Sequence, residues 1–207
     1  MTWAAVTSDS RVSPLAAFPL VRPFFPFDPR TPAETLAGAS RAVTSPRWLV
    51  AHYLALIGFV LLLCVLPALH ARLSAAGAQP SARRATLLSG TGIALILPTL
   101  GVELYVLPGI GRLFLEGNTA VALLVGSIYL GRATLVMVLG LVLLAVGAIM
   151  LATAIARSRS FPTWAGITFA VGLALWCPLL PPAVRVADGL LIGIGGIGLA
   201  WTLCRAA

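Results

Sequence analysis

At 207 residues, 59% hydrophobic, with a mean hydropathy of +1.01 and 10% charged side chains, the chain is far more apolar than a soluble globular domain, which runs near about 25% charged. Its apolar residues gather in runs of about 18 to 25, each long enough at about 1.5 Å per residue to cross a hydrocarbon core of about 30 Å. The net charge of +8 comes from fourteen arginines and no lysine, set at the ends of apolar runs where their heads snorkel to lipid phosphates; with no clustered basic stripe, a nucleic-acid partner is excluded and membrane lipid is expected.

Residues 1–46 carry Pro14, Pro19, Pro23, Pro26, Pro29, Pro32 and Pro46 among Phe18, Phe24, Phe25 and Phe27. Such proline density argues against a helix, and no apolar core of a signal peptide stands near the start, so an extended tail is expected whose phenylalanines lie in the interface or against a partner. From 47 to 207 the pattern predicts an all-α polytopic transmembrane helical bundle. Its first span covers 48–69, entered after Ser45-Pro46-Arg47 and left through His70, Arg72 and a polar linker over 74–84. The second covers 86–107, with Pro98 inside and Pro108-Gly109 marking its exit. The segment 111–131 is too short in its apolar part to cross and predicts an interfacial or re-entrant helix. Further spans are expected at 133–156, at 163–180 with Trp164 and Trp176 at the two interfaces, and at 186–203. That makes five spans, or six if the segment ending at Leu130 crosses.

The last span holds Gly189, Gly193 and Gly196, including a small-xxx-small pair that lets backbones approach; packing inside the bundle is the first expectation and self-association the second. Gly140, Gly147, Gly166 and Gly172 are candidates for facing grooves. Cys64, Cys177 and Cys204 form no C-x-x-C and read as buried small apolar residues.

Two polar residues interrupt the apolar runs near their ends. His52 lies about four residues into the first span and Glu103 about five before the end of the second, so antiparallel threading places both roughly 6 to 8 Å from one boundary. The same alternation brings Trp176, Cys177 and Asp188 to that face, with Arg132 and Arg185 bordering it. A buried carboxylate must be paired or protonated. A salt bridge from Glu103 to Arg132 or Arg185 that fixes helix register, with His52 bonded to a carbonyl, is one reading; a proton- or ion-coupled carrier using Glu103 with His52 as relay is another. A metal-dependent membrane hydrolase with His52, Glu103 and Asp188 as ligands is a minor third, short of imidazole because His70 lies about 27 Å away along the same helix. No metal or cofactor is therefore expected.

Trp48-Leu-Val-Ala-His52, then Gly101-Val-Glu103 with Leu107-Pro108, and a glycine-rich last span with Trp201 resemble uncharacterised multi-pass bacterial membrane proteins. The resemblance implies the same five-to-six-helix architecture and no particular activity. The expectation is an integral protein of a bacterial cell membrane, the arginine bias and abundant Ala and Gly suiting an inner membrane in a G+C-rich organism. Its expected role is that of a structural or accessory subunit, meeting other membrane subunits through the tail or the last span, or of a small orphan membrane protein, in preference to an enzyme.

Overall fold

Proline, expected to keep the first residues extended, starts helices instead. In the computed structural model, which describes residues 14–23, 32–176 and 181–205, helices α1 (Pro14–Val21), α2 (Pro32–Val43) and α3 (Pro46–Leu73) each open on a proline. The first helical position needs no N–H partner and suits proline's fixed φ, so these prolines punctuate rather than exclude. Pro19 does forfeit a bond to the Leu15 carbonyl, but α1 has only eight residues and is held by tertiary contacts of Leu15, Ala16 and Phe18. The expected phenylalanine-rich stretch at Phe24, Phe25 and Phe27 lies outside the described residues.

Ser45 caps α3, its hydroxyl accepting from the Trp48 N–H at 3.3 Å. The helix outruns its expected end and reverses at Ala76 and Gly77, where φ of +81° at Gly77 makes the turn, so the expected polar linker is mostly helical and Arg83 and Arg84 ride on α4 (Gln79–Gly101). Pro108-Gly109 likewise fails to end the second run. A widened π-helical turn over Val102–Val106 leads directly into α5 (Leu107–Leu115), with Pro108 in its first turn. Gly117, at φ +98°, closes that helix. A short 3-10 turn at Thr119–Val121 and α6 (Ala122–Tyr129) follow, then α7 (Arg132–Ser158), α8 (Thr163–Leu175) and α9 (Pro182–Arg205).

The described residues are helical, with no strand among them. Three helical stretches are long and apolar enough to cross a membrane: Pro46–Leu115, which the turn at Gly77 folds back on itself, Arg132–Ser158 and Ala183–Arg205. The described part of the fourth expected span is shorter than predicted, the 13 residues of α8 covering about 20 Å.

Each long helix runs antiparallel to the next. Gly90 lies in ordinary contact with Leu63, and close approaches pair Gly92 with Leu144, Gly166 with Ile155 and Gly172 with Ile192, giving the order α3, α4, α7, α8, α9. Helix α1 is wedged between α9 and α3 and closes the ring. Its seat is made by glycines: a Cβ on Gly58 would lie 2.8 Å from the Leu15 nitrogen, and one on Gly189 would lie 2.6 Å from the Ala16 carbonyl oxygen. Gly193 faces Ala16 on the same seat, so the Gly189/Gly193 pair holds α1. Gly195 approaches the Phe169 backbone of α8, whereas Gly196 leaves ordinary contact distance to Phe169. Gly140 and Gly147 pack on α4, against Gly92 and Ser89.

The core runs through the ring, from Phe59, Leu69 and Leu73 of α3 through Ile93 and Ile96 of α4 to Leu144, Ile155 and Ile192. Trp176, expected at an interface, is instead buried in it, its ring 4.7 Å from Phe59 and 5.8 Å from Phe18. The end of α8 turns inward here, toward the gap that α1 fills. Cys64 and Cys204 depart from expectation in the other direction: both are exposed, on outward helix faces. A second cluster of Val43, Trp48, Leu107, Ile110 and Val121 joins α2, α5 and the 3-10 turn to the start of α3.

Candidate functional site: a buried His–Glu pair

The start of α3 and the π turn after α4 meet because the hairpin folded at Gly77 has arms of similar length. There the His52 Nε2 lies 3.2 Å from Glu103 Oε2, with His52 fully buried and Glu103 6% exposed. The Tyr129 hydroxyl, at the end of α6, donates to Glu103 Oε1 at 3.0 Å. Both carboxyl oxygens are therefore engaged.

The backbone at Glu103 is tied as well. In the π register the Leu107 N–H bonds back to the Val102 carbonyl, so the next donor, for the Glu103 carbonyl, would come from residue 108. That residue is Pro108, which has none. Trp48 fills the place, its indole N–H donating to the Glu103 carbonyl at 2.7 Å. The widened turn thus supplies a buried acceptor, and proline leaves it for a side chain from the neighbouring helix.

The tautomer of His52 follows from its other nitrogen. Nδ1 lies 2.7 Å from the Trp48 carbonyl, an acceptor only, so Nδ1 carries a hydrogen. The contact between Nε2 and the carboxyl then requires one further proton, held either as imidazolium beside carboxylate or as imidazole beside carboxylic acid. Either way the pair is neutral as a whole. Trp48 stacks on the imidazole with centroids 4.0 Å apart, and Phe18 of α1 meets it edge-on at 5.4 Å. The Arg22 guanidinium lies 5.0 Å over the Trp48 ring and acts electrostatically on Glu103.

The other expected members divide. Asp188 is 1% exposed and Arg185 8% exposed, one turn apart at the start of α9 and electrostatically coupled. Asp188 Oδ1 has no hydrogen-bond partner among the described residues. Arg132 is exposed, and among the described residues Glu103 pairs with His52 and accepts from Tyr129, where a salt bridge to Arg132 or Arg185 was expected. The reason is depth: Arg132 starts α7 on the surface, while Tyr129, three residues earlier, turns inward. Cys177 lies outside the described residues. Among the described residues no three His, Cys, Asp or Glu side chains gather to hold a metal, so the ligand set of a His52, Glu103 and Asp188 hydrolase is not assembled.

Trp48, Tyr129 and Arg22 were missed from sequence. Trp48 had a signal, since it precedes His52 by one helical turn and so shares its face. Pro108, five residues after Glu103, was a second. Tyr129 and Arg22 had none, their approach depending on how α6 and α1 fold back. No known family model matches the chain, and no curated protein or solved structure is recognisably similar to it.

Proposed function

We propose that this chain is a five-span integral protein of a bacterial cell membrane, with α3, α4, α7, α8 and α9 as spans, and that it serves as a structural or accessory subunit. In this reading the network of Trp48, His52, Glu103 and Tyr129 is a clasp that fixes the register of the α3–α4 hairpin and ties α6 to it. The observation that supports it is the completeness of the network: both Glu103 carboxyl oxygens, its carbonyl and both His52 nitrogens have partners within the protein. Each Glu103 oxygen is held by a partner within the protein and the side chain is 8% exposed, which leaves little of the carboxylate for a ligand. In hydrocarbon such satisfaction matters because no water replaces a missing partner.

Three apolar stretches of crossing length and the outward apolar residues Leu123, Leu130 and Leu135, exposed by 80%, 90% and 71%, support the bilayer placement. With Gly189 and Gly193 occupied by α1, the surface left for another membrane subunit on α9 is the row of Leu190, Ile194, Ile197 and Trp201. Purification in mild detergent tests the role: a stoichiometric partner is expected, and an isolated chain that catalyses proton-linked uptake abolished by Glu103→Gln overturns it.

A proton- or ion-coupled carrier is the second reading, favoured by Asp188. A buried carboxylate oxygen without a partner is costly in a purely structural protein. Asp188→Asn separates the two, leaving a clasp subunit intact and abolishing flux in a carrier.

A further inference from the structure

Between α4, α6 and α7 lies a crevice of about 190 Å³ beside the clasp, lined by Leu95, Pro98, Val102, Ile128, Ala133 and Val136 together with Thr99, Tyr129 and Thr134. Its size is informative. An apolar cavity of about 150 Å³ holds a benzene-sized ligand, whereas pockets for drug-sized ligands start near about 300 Å³, so this space suits one ring or a short chain.

Its polar groups narrow the chemistry further. Thr134 spends its hydroxyl on the carbonyls of Ile128 and Tyr129, at 3.2 and 2.7 Å. Tyr129 lines the crevice and gives its hydroxyl to Glu103. Thr99 alone among these three hydroxyls makes no hydrogen bond within the described residues. Among the described residues no charged side chain lines the wall. A polar group without a partner in an otherwise apolar recess is the feature that orients a ligand.

We propose that this crevice binds a small neutral lipophile, an apolar ring or short chain bearing a single hydroxyl, with that hydroxyl bonded to Thr99 and the apolar body against Leu95, Val102, Ile128 and the Tyr129 ring. The ligand enters from the side, past the exposed Pro98, Ala133 and Val136. Tyr129 is the wall it shares with the Glu103 clasp. The proposal is independent of the accessory role, because it needs only the crevice itself.

The test uses 4-fluorobenzyl alcohol as probe and the full chain in detergent micelles, followed by fluorine NMR. A saturable bound signal is expected in the unaltered protein. Ala133→Phe, at an exposed position, fills the crevice and abolishes it. Thr99→Val weakens binding of the alcohol about fivefold, the worth of one hydrogen bond, while leaving 4-fluorotoluene unaffected. Absence of a saturable signal, or one that survives Ala133→Phe, overturns the proposal; should that variant fail to fold, equal loss of both probes in Thr99→Val, or loss of neither, does so.

Discussion

Glu103→Gln distinguishes a hydrogen-bond network from a charge. A glutamine amide can donate to the His52 Nε2 lone pair while its carbonyl accepts from Tyr129, so every bond survives without the shared proton. The variant is expected to unfold within about 1 kcal/mol of the parent, whereas Glu103→Ala, which orphans both partners in the interior, loses about 2–4 kcal/mol. Denaturation of the two variants in the same detergent measures the difference. Equal losses would mean that the ionic form of the pair holds the site.

The Trp48 indole makes a second residue-scale case. Trp48→Phe removes the donor to the Glu103 carbonyl and is expected to cost about 1–3 kcal/mol, because Pro108 can offer nothing in its place. Pro108→Ala restores an N–H near that carbonyl. A double-mutant cycle should therefore show a smaller loss for Trp48→Phe in the Pro108→Ala background, and additive losses would refute the link between proline and indole.

At the scale of helices, glycine decides which elements touch. A Cβ at Gly92 would stand 2.6 Å from the Leu144 nitrogen and 2.7 Å from the Gly140 oxygen, backbone atoms that cannot turn aside. Gly92→Val is expected to separate α4 from α7 at a cost of about 3 kcal/mol or more. Gly101, helical at φ −61° with nothing within 4 Å of the same position, is the control: Gly101→Ala should gain about 0.5–1 kcal/mol. Thermal unfolding of both variants checks the contrast. The seat of α1 obeys the same geometry, so Gly58→Leu should expel that helix and raise the reactivity of a thiol placed by Ala16→Cys, now buried at 5% exposure.

For the whole molecule, the antiparallel order collects Arg72, Arg83, Arg84, Arg157, Arg159 and Arg205 at the end of the bundle remote from His52. On the proposed five-span threading that end is the expected cytoplasmic one, since arginine-rich short connections are retained there, with Arg41, Arg47, Arg112, Arg132 and Arg185 toward the other end. Single cysteines at Ala78 and Ser160, in a background without the native thiols, should react with an impermeant maleimide from the same side, and one at Asn118 from the other. Reaction of 118 and 160 from one side would discard the five-span reading.

Hydrophobic run length was enough to read the described residues from Pro46 onward as helical, and positional symmetry about a turn near residue 77 was enough to bring His52 and Glu103 to one end, because helical rise converts sequence spacing directly into depth. The polar linker and the Pro108 exit were misread for a physical reason: arginines extend happily along a helix end, and a π turn can absorb a proline without stopping the helix. Prolines at helix starts looked the same as prolines that forbid helices, since local spacing does not say which N–H groups need partners. Tertiary structure alone decided which groups complete the site. Arg22 acts on Glu103 from the end of α1, which is seated on Gly58 and Gly189, Tyr129 reaches it because α6 folds back ahead of α7, and Arg132, adjacent in expectation, is turned away by the helix face on which it falls. Depth along a helix is written in the sequence; the angle around it, which selects neighbours, is fixed by packing.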